Sequence, residues 1–217
     1  MKRLFGLLLF VPLLYIQFAY AQKPFSEGTL VFTMQAKADD EQTASMLNNA
    51  TMTIYVKGDK VRHEMNFNGG FQNTSITNLA DSSTVVFMDM MGQKKMMKLS
   101  QAQLDKIRNT PANYTIDFQN DTKTILGYTC KKAIVHVKGG ADLVFWVTDQ
   151  LIPTTTEWSH VSGLKGLLLE FDMTQRGATM TLTATKVDPS PVSDDQFKIP
   201  DGYEEVTPEQ MMGGGKQ

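Results

Sequence analysis

The feature that most constrains the fold is an alternation of apolar and polar residues that recurs along most of the chain. In the stretch GTLVFTMQAK, Leu30, Phe32 and Met34 occupy every second position, and threonine, valine and glutamine lie between them. Successive side chains of a β-strand point to opposite faces, so a period of two is typical of a strand with one buried face. The pattern predicts a chain built mainly of β-strands.

The alternating segments are short, and turn signals separate them. TMTIYVKGDKVRHEMNF predicts a hairpin with its turn at residues 57–60. About ten strands, joined mostly by hairpins, favour one large antiparallel sheet that curls toward a barrel or a sandwich. Further turns are predicted at residues 81–83, 92–93, 120–121, 139–140 and 176–177. The remaining predicted strands are TSITNLA, STVVFMDM, QKKMMKL, NYTIDF, CKKAIVHV, DLVFWVT, GLLLEFDM and ATMTLTATKV.

Helix signals are few, so we expect one or two short helices. Ser100 and Gln103 have the spacing of a capping box, with an apolar stripe after them and a proline at 111 that ends the helix near residue 109. A second short helix is predicted at residues 207–210, where a threonine precedes a proline. Residues 38–49 are compatible with either a helix or a solvated loop.

The N-terminus has the pattern of a secretory signal peptide. Two basic residues precede an apolar run from Leu4 to Ile16, and Ala19-Tyr20-Ala21 places small residues where a signal peptidase cleaves. The run is too short to span a bilayer, and Gln22 stands where a lipoprotein would need cysteine. We therefore expect a signal peptide at 1–21, a single β domain at 22–210 and a flexible tail at 211–217. The predicted location is the periplasm of a Gram-negative-type bacterium, with no transmembrane segment in the mature chain.

The composition and motifs exclude several functional classes. The 21 basic and 23 acidic residues are scattered, and no basic patch with interleaved aromatic residues suggests a nucleic-acid partner. No nucleophile elbow, zinc-protease motif, phosphate loop or dinucleotide fingerprint is present. Cys130 is the only cysteine, and its place within a predicted strand favours burial. We therefore expect neither enzymatic activity nor a cofactor.

Methionine is concentrated in VVFMDMMGQKKMMKL, which runs from Val85 to Leu99. Thioether sulfur suits Cu(I), but alternation on two strands sends the five sulfurs to two different faces. Methionine is also unbranched and adaptable, so it lines cores and promiscuous apolar pockets. The pattern favours a core or pocket lining over a metal site. The five methionines are Met88, Met90, Met91, Met96 and Met97.

Five short motifs carry a resemblance to a known family. They are VKGDKVRHEM, ILGYTCKKAIVHV, FWVTDQL, GLKGLLLEFDM and FKIPDGYEEVTPEQM, in that order along the chain. The sequence resembles the exported family known as domain of unknown function 4412, which is itself similar to the LolA-like superfamily of envelope lipoprotein carriers.

The resemblance implies an unclosed antiparallel half-barrel whose hydrophobic concavity receives acyl chains and is plugged by helices. It also suggests that Arg62 takes the place of an arginine that helps LolA-like carriers to keep the cavity closed. The partners it implies are an apolar or lipid-like ligand, the acyl chains of a lipoprotein, or another envelope protein. The residues predicted to line the cavity are Phe32, Met34, Ile54, Met65, Phe67, Met88, Met90 and Met96.

Three functions remain open from the sequence. The first is a non-catalytic envelope protein that binds an apolar or lipidic ligand in the half-barrel. The second is an envelope sensor or protein-interaction module whose apolar interior is only a core and holds no ligand. The third is a copper-handling protein that uses the clustered methionines.

Overall fold

A computed structural model describes residues 22–37, 40–100, 102–103, 114–155, 161, 163–175 and 178–211. The helices are α1 (Glu41–Leu47), a 3₁₀ helix (Asp194–Phe197) and α2 (Pro208–Met211). The strands are β1 (Lys23–Phe25), β2 (Glu27–Lys37), β3 (Thr51–Lys57), β4 (Lys60–Phe67), β5 (Phe71–Asn78), β6 (Ser83–Met90), β7 (Gln93–Ser100), β8 (Tyr114–Ile125), β9 (Tyr128–Val137), β10 (Leu143–Thr148), β11 (Leu151–Pro153), β12 (Leu167–Gln175), β13 (Ala178–Asp188) and β14 (Glu204–Glu205).

Twelve strands form one sheet in the order β14-β7-β6-β5-β4-β3-β2-β13-β12-β10-β9-β8. All neighbours are antiparallel except β14, which pairs with β7 in parallel, and a separate parallel pair joins β1 to β11. In the described part of the chain, β14 and β8 end the sheet without pairing with each other, so the sheet is not closed into a barrel. The prediction of a large, open, mainly antiparallel sheet with short helices is confirmed.

We call one side of the sheet the core face and the opposite side the outer face. The core face is the side that carries Leu30, Phe32 and Met34 of β2, each of which is fully buried. The register places Met52 and Ile54 of β3 on the same side. The outer face of these central strands is rich in threonine, a β-branched residue that suits a partly exposed strand surface.

One predicted turn is wrong. Asn120 and Asp121 lie inside β8, at an irregularity in the pairing with β9 between Phe118 and Thr122. Because β8 ends the sheet, it tolerates polar residues and a bulge that a central strand would not. The chain reverses later, at residues 126–127, where φ is +51° and +83°.

The short helix predicted at residues 207–210 is confirmed, and the segment that the sequence left open between a helix and a solvated loop contains a helix. Residues 38–49 contain a helix, α1, which is capped by the Asp40 carboxylate accepting a hydrogen bond from Thr43 N at 2.7 Å. α2 begins with reciprocal bonds between Thr207 and Gln210, as in a capping box. Ser100 and Gln103 make the same pair of bonds, while residue 101 and residues 104–109 of that predicted helix lie outside the described residues.

Candidate functional site

Methionines from several neighbouring strands lie side by side on the core face. Cross-strand pairs join Phe32 to Met52 and Met52 to Met65, and Asn73 then connects Met65 to Met88. On the other side of β2, Met180 of β13 pairs with Ala36 of β2 and with Met173 of β12. We call this set the methionine band: Met34, Met52, Met65, Met88, Met90, Met173 and Met180.

The methionine band runs from the buried core to the solvent. Met34 is fully buried and Met52 is 8% exposed, whereas Met65 is only partly buried and packs against the core. Met88 is partly buried, and Met90, at the end of β6, is 53% exposed. The band therefore has a buried, dry end at Met34 and a solvent-exposed, wet end at Met90, and the polar Asn73 of β5 interrupts it between Met65 and Met88.

Aromatic side chains form the dry end beside the band. The ring of Phe171 in β12 makes edge-to-face contacts with Phe32 at 5.7 Å and with Phe145 at 6.0 Å between centroids. β13 lies between β2 and β12, and its Ala184 pairs with Phe32, so little side-chain bulk separates the rings. Edge-to-face aromatic pairs add about 0.5–1.5 kcal/mol beyond the area they bury. These contacts pack the three rings together at the dry end of the band.

At the wet end, two aromatic side chains extend the apolar surface. Phe67 and Phe71 flank the turn between β4 and β5, and their rings stack at 5.1 Å. Phe71 is also the cross-strand partner of Met90. Phe71, which the sequence analysis did not include, thus connects β4 to β6.

The structure places the predicted lining residues on both faces. Seven of them share the core face, whereas Met96 pairs with Phe87 on the outer face. Of Met96 and its neighbour Met97, only Met97 lies on the core face, where it packs with Leu99 and Met211. The seven on the core face are Phe32, Met34, Ile54, Met65, Phe67, Met88 and Met90.

Three methionines of the band were not among the predicted lining residues. Met52 alternates in phase with Ile54, so the sequence pattern alone could have included it. Met173 and Met180 belong to strands more than a hundred residues beyond β2, and only strand pairing brings them to the band.

The clustered methionines of residues 85–99 do not converge on one point. Met88, Met90 and Met97 lie on the core face, Met96 on the outer face, and Met91 in the turn between β6 and β7. In the described residues no group of three or more His, Cys, Asp or Glu side chains could hold a metal ion.

Arg62 lies on the outer face, away from the methionine band. Its guanidinium forms an ion pair with Glu64 at 2.9 Å and donates a hydrogen bond to the Gln196 carbonyl at 3.0 Å. Glu64 also accepts a hydrogen bond from Gln72 Nε2 at 3.0 Å. This partly buried cluster fastens the 3₁₀ helix onto β4.

The thiol of Cys130 is buried and mostly protonated at neutral pH. Cys130 is fully buried, as the sequence predicted, and burial raises the pKa of its thiol to about 11. The nearby Lys123 ammonium lowers that pKa, but its effect is smaller than that of burial. The reactive thiolate is therefore a minor form at neutral pH. Among the histidines, His136 pairs with Asp142 at 2.9 Å in an exposed position, and His160 lies outside the described residues.

None of the helices in the described residues is long and apolar enough to cross a membrane. A family model described as "Domain of unknown function (DUF4412)" matches residues 33–162. Among curated proteins, none matches this sequence.

Several solved structures are similar to this chain at low sequence identity. An uncharacterized conserved protein from Thermus thermophilus is 9% identical with a TM-score of 0.51, over 83% of this chain and 91% of that one. PNGF-II is 15% identical with a TM-score of 0.49; the match covers 86% of this chain but only 33% of PNGF-II, so the chain spans about a third of its length. A LolA superfamily protein from Nitrosomonas europaea is 10% identical with a TM-score of 0.36, over 82% and 92% of the two chains.

Proposed function

This chain belongs to the DUF4412 family, and from that premise and the geometry of its sheet we propose that it is a non-catalytic exported protein that binds an apolar or lipidic ligand. In this proposal the ligand lies along the methionine band. One end of the ligand is directed toward the buried Phe32, and the other end lies at the solvent-exposed Met90. The observation that carries the proposal is the graded burial of the band, from Met34 at 0% to Met90 at 53% exposure.

Methionine suits such a surface for a physical reason. Its side chain is unbranched, has three rotatable bonds and carries a polarizable sulfur, so it adapts to irregular apolar shapes. A core that only needed to be filled would be better served by leucine, isoleucine or valine, which hold one rotamer more firmly. A row of methionines that reaches the solvent favours a flexible ligand, such as an acyl chain, over a rigid one.

The proposal includes export. Residues 1–21 act as a cleaved signal peptide, and the protein works in the periplasm or envelope. The buried, protonated thiol of Cys130 is consistent with a protein that performs no nucleophilic chemistry.

Native mass spectrometry of the processed protein, purified gently from its envelope compartment, tests the proposal directly. We expect an adduct of lipid-like mass. A bare mass, together with no measurable binding of a fluorescent fatty acid, would contradict the proposal and favour a protein-interaction module. A copper-sized increment that disappears when the five clustered methionines become leucine would instead indicate a metal-handling protein.

A matched pair of variants locates the ligand. Met88→Asp puts a charge on the core face, and Met96→Asp puts one on the outer face of the adjacent strand, at a position that is also partly buried. We expect Met88→Asp to weaken fatty-acid binding about tenfold or more, because the acyl chain would have to desolvate a carboxylate. Met96→Asp should bind normally, and an equal loss in both variants would place the ligand elsewhere.

A further inference from the structure

Three loops meet at one end of the sheet and are joined by hydrogen bonds. Asn68, in the turn between β4 and β5, donates from its backbone N to the Met46 carbonyl of α1 at 3.2 Å, and from its side chain to the Ser45 carbonyl at 2.9 Å. Met91, in the turn between β6 and β7, donates its backbone N–H to the Gly70 carbonyl at 3.4 Å. α1 and the two turns therefore form one connected edge.

This edge presents apolar side chains to solvent. Met46 is 40%, Met90 53% and Met91 88% exposed. These are three of the six large apolar side chains that are exposed in the described part of the chain. With the stacked rings of Phe67 and Phe71 beside them, they form what we call the apolar lip: Met46, Phe67, Phe71, Met90 and Met91.

Folding does not explain the side chain of Met91. Met91 and Gly92 have φ values of +52° and +89°, as in the two-residue turn that favours asparagine followed by glycine. A methionine in this left-handed conformation is disfavoured relative to asparagine or glycine, and at 88% exposure it gains little from packing. The turn between β4 and β5, by contrast, uses Asn68-Gly69-Gly70.

Basic residues follow the lip directly. Lys94 and Lys95 lie at the start of β7, next to the Met91-Gly92 turn, on opposite faces of the strand. Lys95 is the cross-strand partner of Met88 on the core face, and the Lys94 ammonium lies on the outer face, 5.7 Å from the centroid of the Tyr203 ring. The carboxylate of the neighbouring Asp89 accepts a hydrogen bond from Gly92 N, in the turn between β6 and β7, at 2.8 Å. Exposed methionines beside lysines are suited to a lipid bilayer, whose acyl chains are apolar and whose headgroups can be anionic.

We propose that the apolar lip docks onto a lipid bilayer that contains anionic lipids. Met90 and Met91 enter the headgroup region, and Lys94 and Lys95 contact lipid phosphates. The proposal rests on the proposed function, because Met90 belongs both to the lip and to the wet end of the methionine band. A lipid that leaves the bilayer at the lip meets Met90 first and then the rest of the methionine band, which leads toward Met34.

A matched pair of turn variants tests the docking. Leu126, in the turn between β8 and β9, is also apolar and exposed at 46%, with φ at +51°, but the strand directions place it at the opposite end of the sheet. Met91→Asn and Leu126→Asn therefore make the same chemical change in the same backbone conformation, at the lip and away from it. Both should fold at least as well as the wild type, because asparagine tolerates this conformation better.

The measurement is flotation of the processed protein with vesicles of phosphatidylcholine, with and without phosphatidylglycerol. We expect binding to the anionic vesicles, about tenfold weaker in Met91→Asn and unchanged in Leu126→Asn. Replacing Lys94 and Lys95 with glutamine should remove the preference for anionic vesicles. Equal binding by Met91→Asn and wild type, or an equal loss in Leu126→Asn, would overturn the proposal, and so would binding to an envelope protein without binding to vesicles.

Fatty-acid binding in solution, measured without vesicles, separates the two proposals. Met91 is not part of the methionine band, so Met91→Asn should bind the fluorescent fatty acid as the wild type does. Normal fatty-acid binding without flotation of the wild type would overturn membrane docking and leave the proposed function standing. Flotation without fatty-acid binding would contradict the proposed function alone.

Discussion

Gly166 lies where the chain passes closest to the end of β10, immediately before β12. Its φ is +131°, and a Cβ atom added there would lie 2.1 Å from the Thr148 carbonyl oxygen. Gly28 is restricted in the same way, because its added Cβ would lie 2.6 Å from the Asp188 carbonyl oxygen. At these two positions a single hydrogen in place of a side chain allows two stretches of backbone to approach.

We expect Gly166→Ala to lower the free energy of unfolding by about 3 kcal/mol or more, because it combines an unfavourable φ with a clash against backbone. Urea unfolding of the processed protein measures the change. Gly140→Ala is the control, since its Cβ would meet mainly the Val137 side chain, at 3.2 Å, and there the cost should be small. Equal losses in the two variants would show that close backbone approach is not what requires glycine at residue 166.

At the scale of elements, the segment after β13, residues 189–205, crosses the outer face of the sheet, and we call it the strap. Lys57 Nζ donates to the Val192 carbonyl at 3.0 Å and pairs with Asp194 at 3.1 Å. Further along, the Tyr203 ring makes an edge-to-face contact with Phe87 at 5.2 Å, and β14 then covers the edge of β7. Covering a sheet edge in this way reduces unwanted pairing with other chains.

Arg62 of β4 contacts this strap rather than the methionine band. Arg62→Ala leaves the Glu64 carboxylate, 20% exposed, without its cation, and it removes the hydrogen bond to Gln196. We expect the free energy of unfolding to fall by about 1–3 kcal/mol and hydrogen exchange to rise in the strap, with fatty-acid affinity unchanged.

The exposed pair Lys131–Asp149 provides the control for Arg62, because an exposed ion pair contributes about 0–1 kcal/mol. A loss of fatty-acid binding in Arg62→Ala, without faster exchange in the strap, would favour the cavity-closing role that the family resemblance implies.

For the whole molecule, the sheet brings together methionines from strands that are distant in sequence. β2 pairs with β3 on one side and with β13 on the other, so Met34 lies between Met52 and the strand that carries Met180. The result is a band of deformable methionine side chains that extends from β6 to β12, with Asn73 of β5 as a polar interruption. In the proposed function, methionine at these positions lets the band adapt its shape to the ligand.

Replacing Met65 and Met88 with isoleucine tests this adaptability. The change keeps the side chains apolar and similar in volume, so the free energy of unfolding should change by less than about 1.5 kcal/mol. Isoleucine is stiff at χ1, so we expect the variant to bind a narrower range of fatty-acid chain lengths. Competition against a fluorescent fatty acid with a series of chain lengths measures the range, and an unchanged range would contradict the role assigned to methionine flexibility.

The local pattern of residues determined where the strands lie, which of their residues share a face, and where two helices are capped. Alternation placed the strands and showed that Met88 and Met90 share a face while Met96 and Met97 do not. The capping pairs Ser100–Gln103 and Thr207–Gln210 were also readable, because a cap depends on residues only three positions apart. These features follow from backbone geometry over a few residues, which the sequence carries directly.

Only the tertiary structure decided which face is inside and which strands are neighbours. A shift of one residue in register exchanges the two faces of a strand, so alternation could not show that Met97 lies on the core face and Met96 on the outer face. The insertion of β13 between β2 and β12 joins residues about 150 positions apart, and no local period specifies such a pairing. The methionine band exists because those long-range pairings satisfy the backbone hydrogen bonds of β2 on both of its edges.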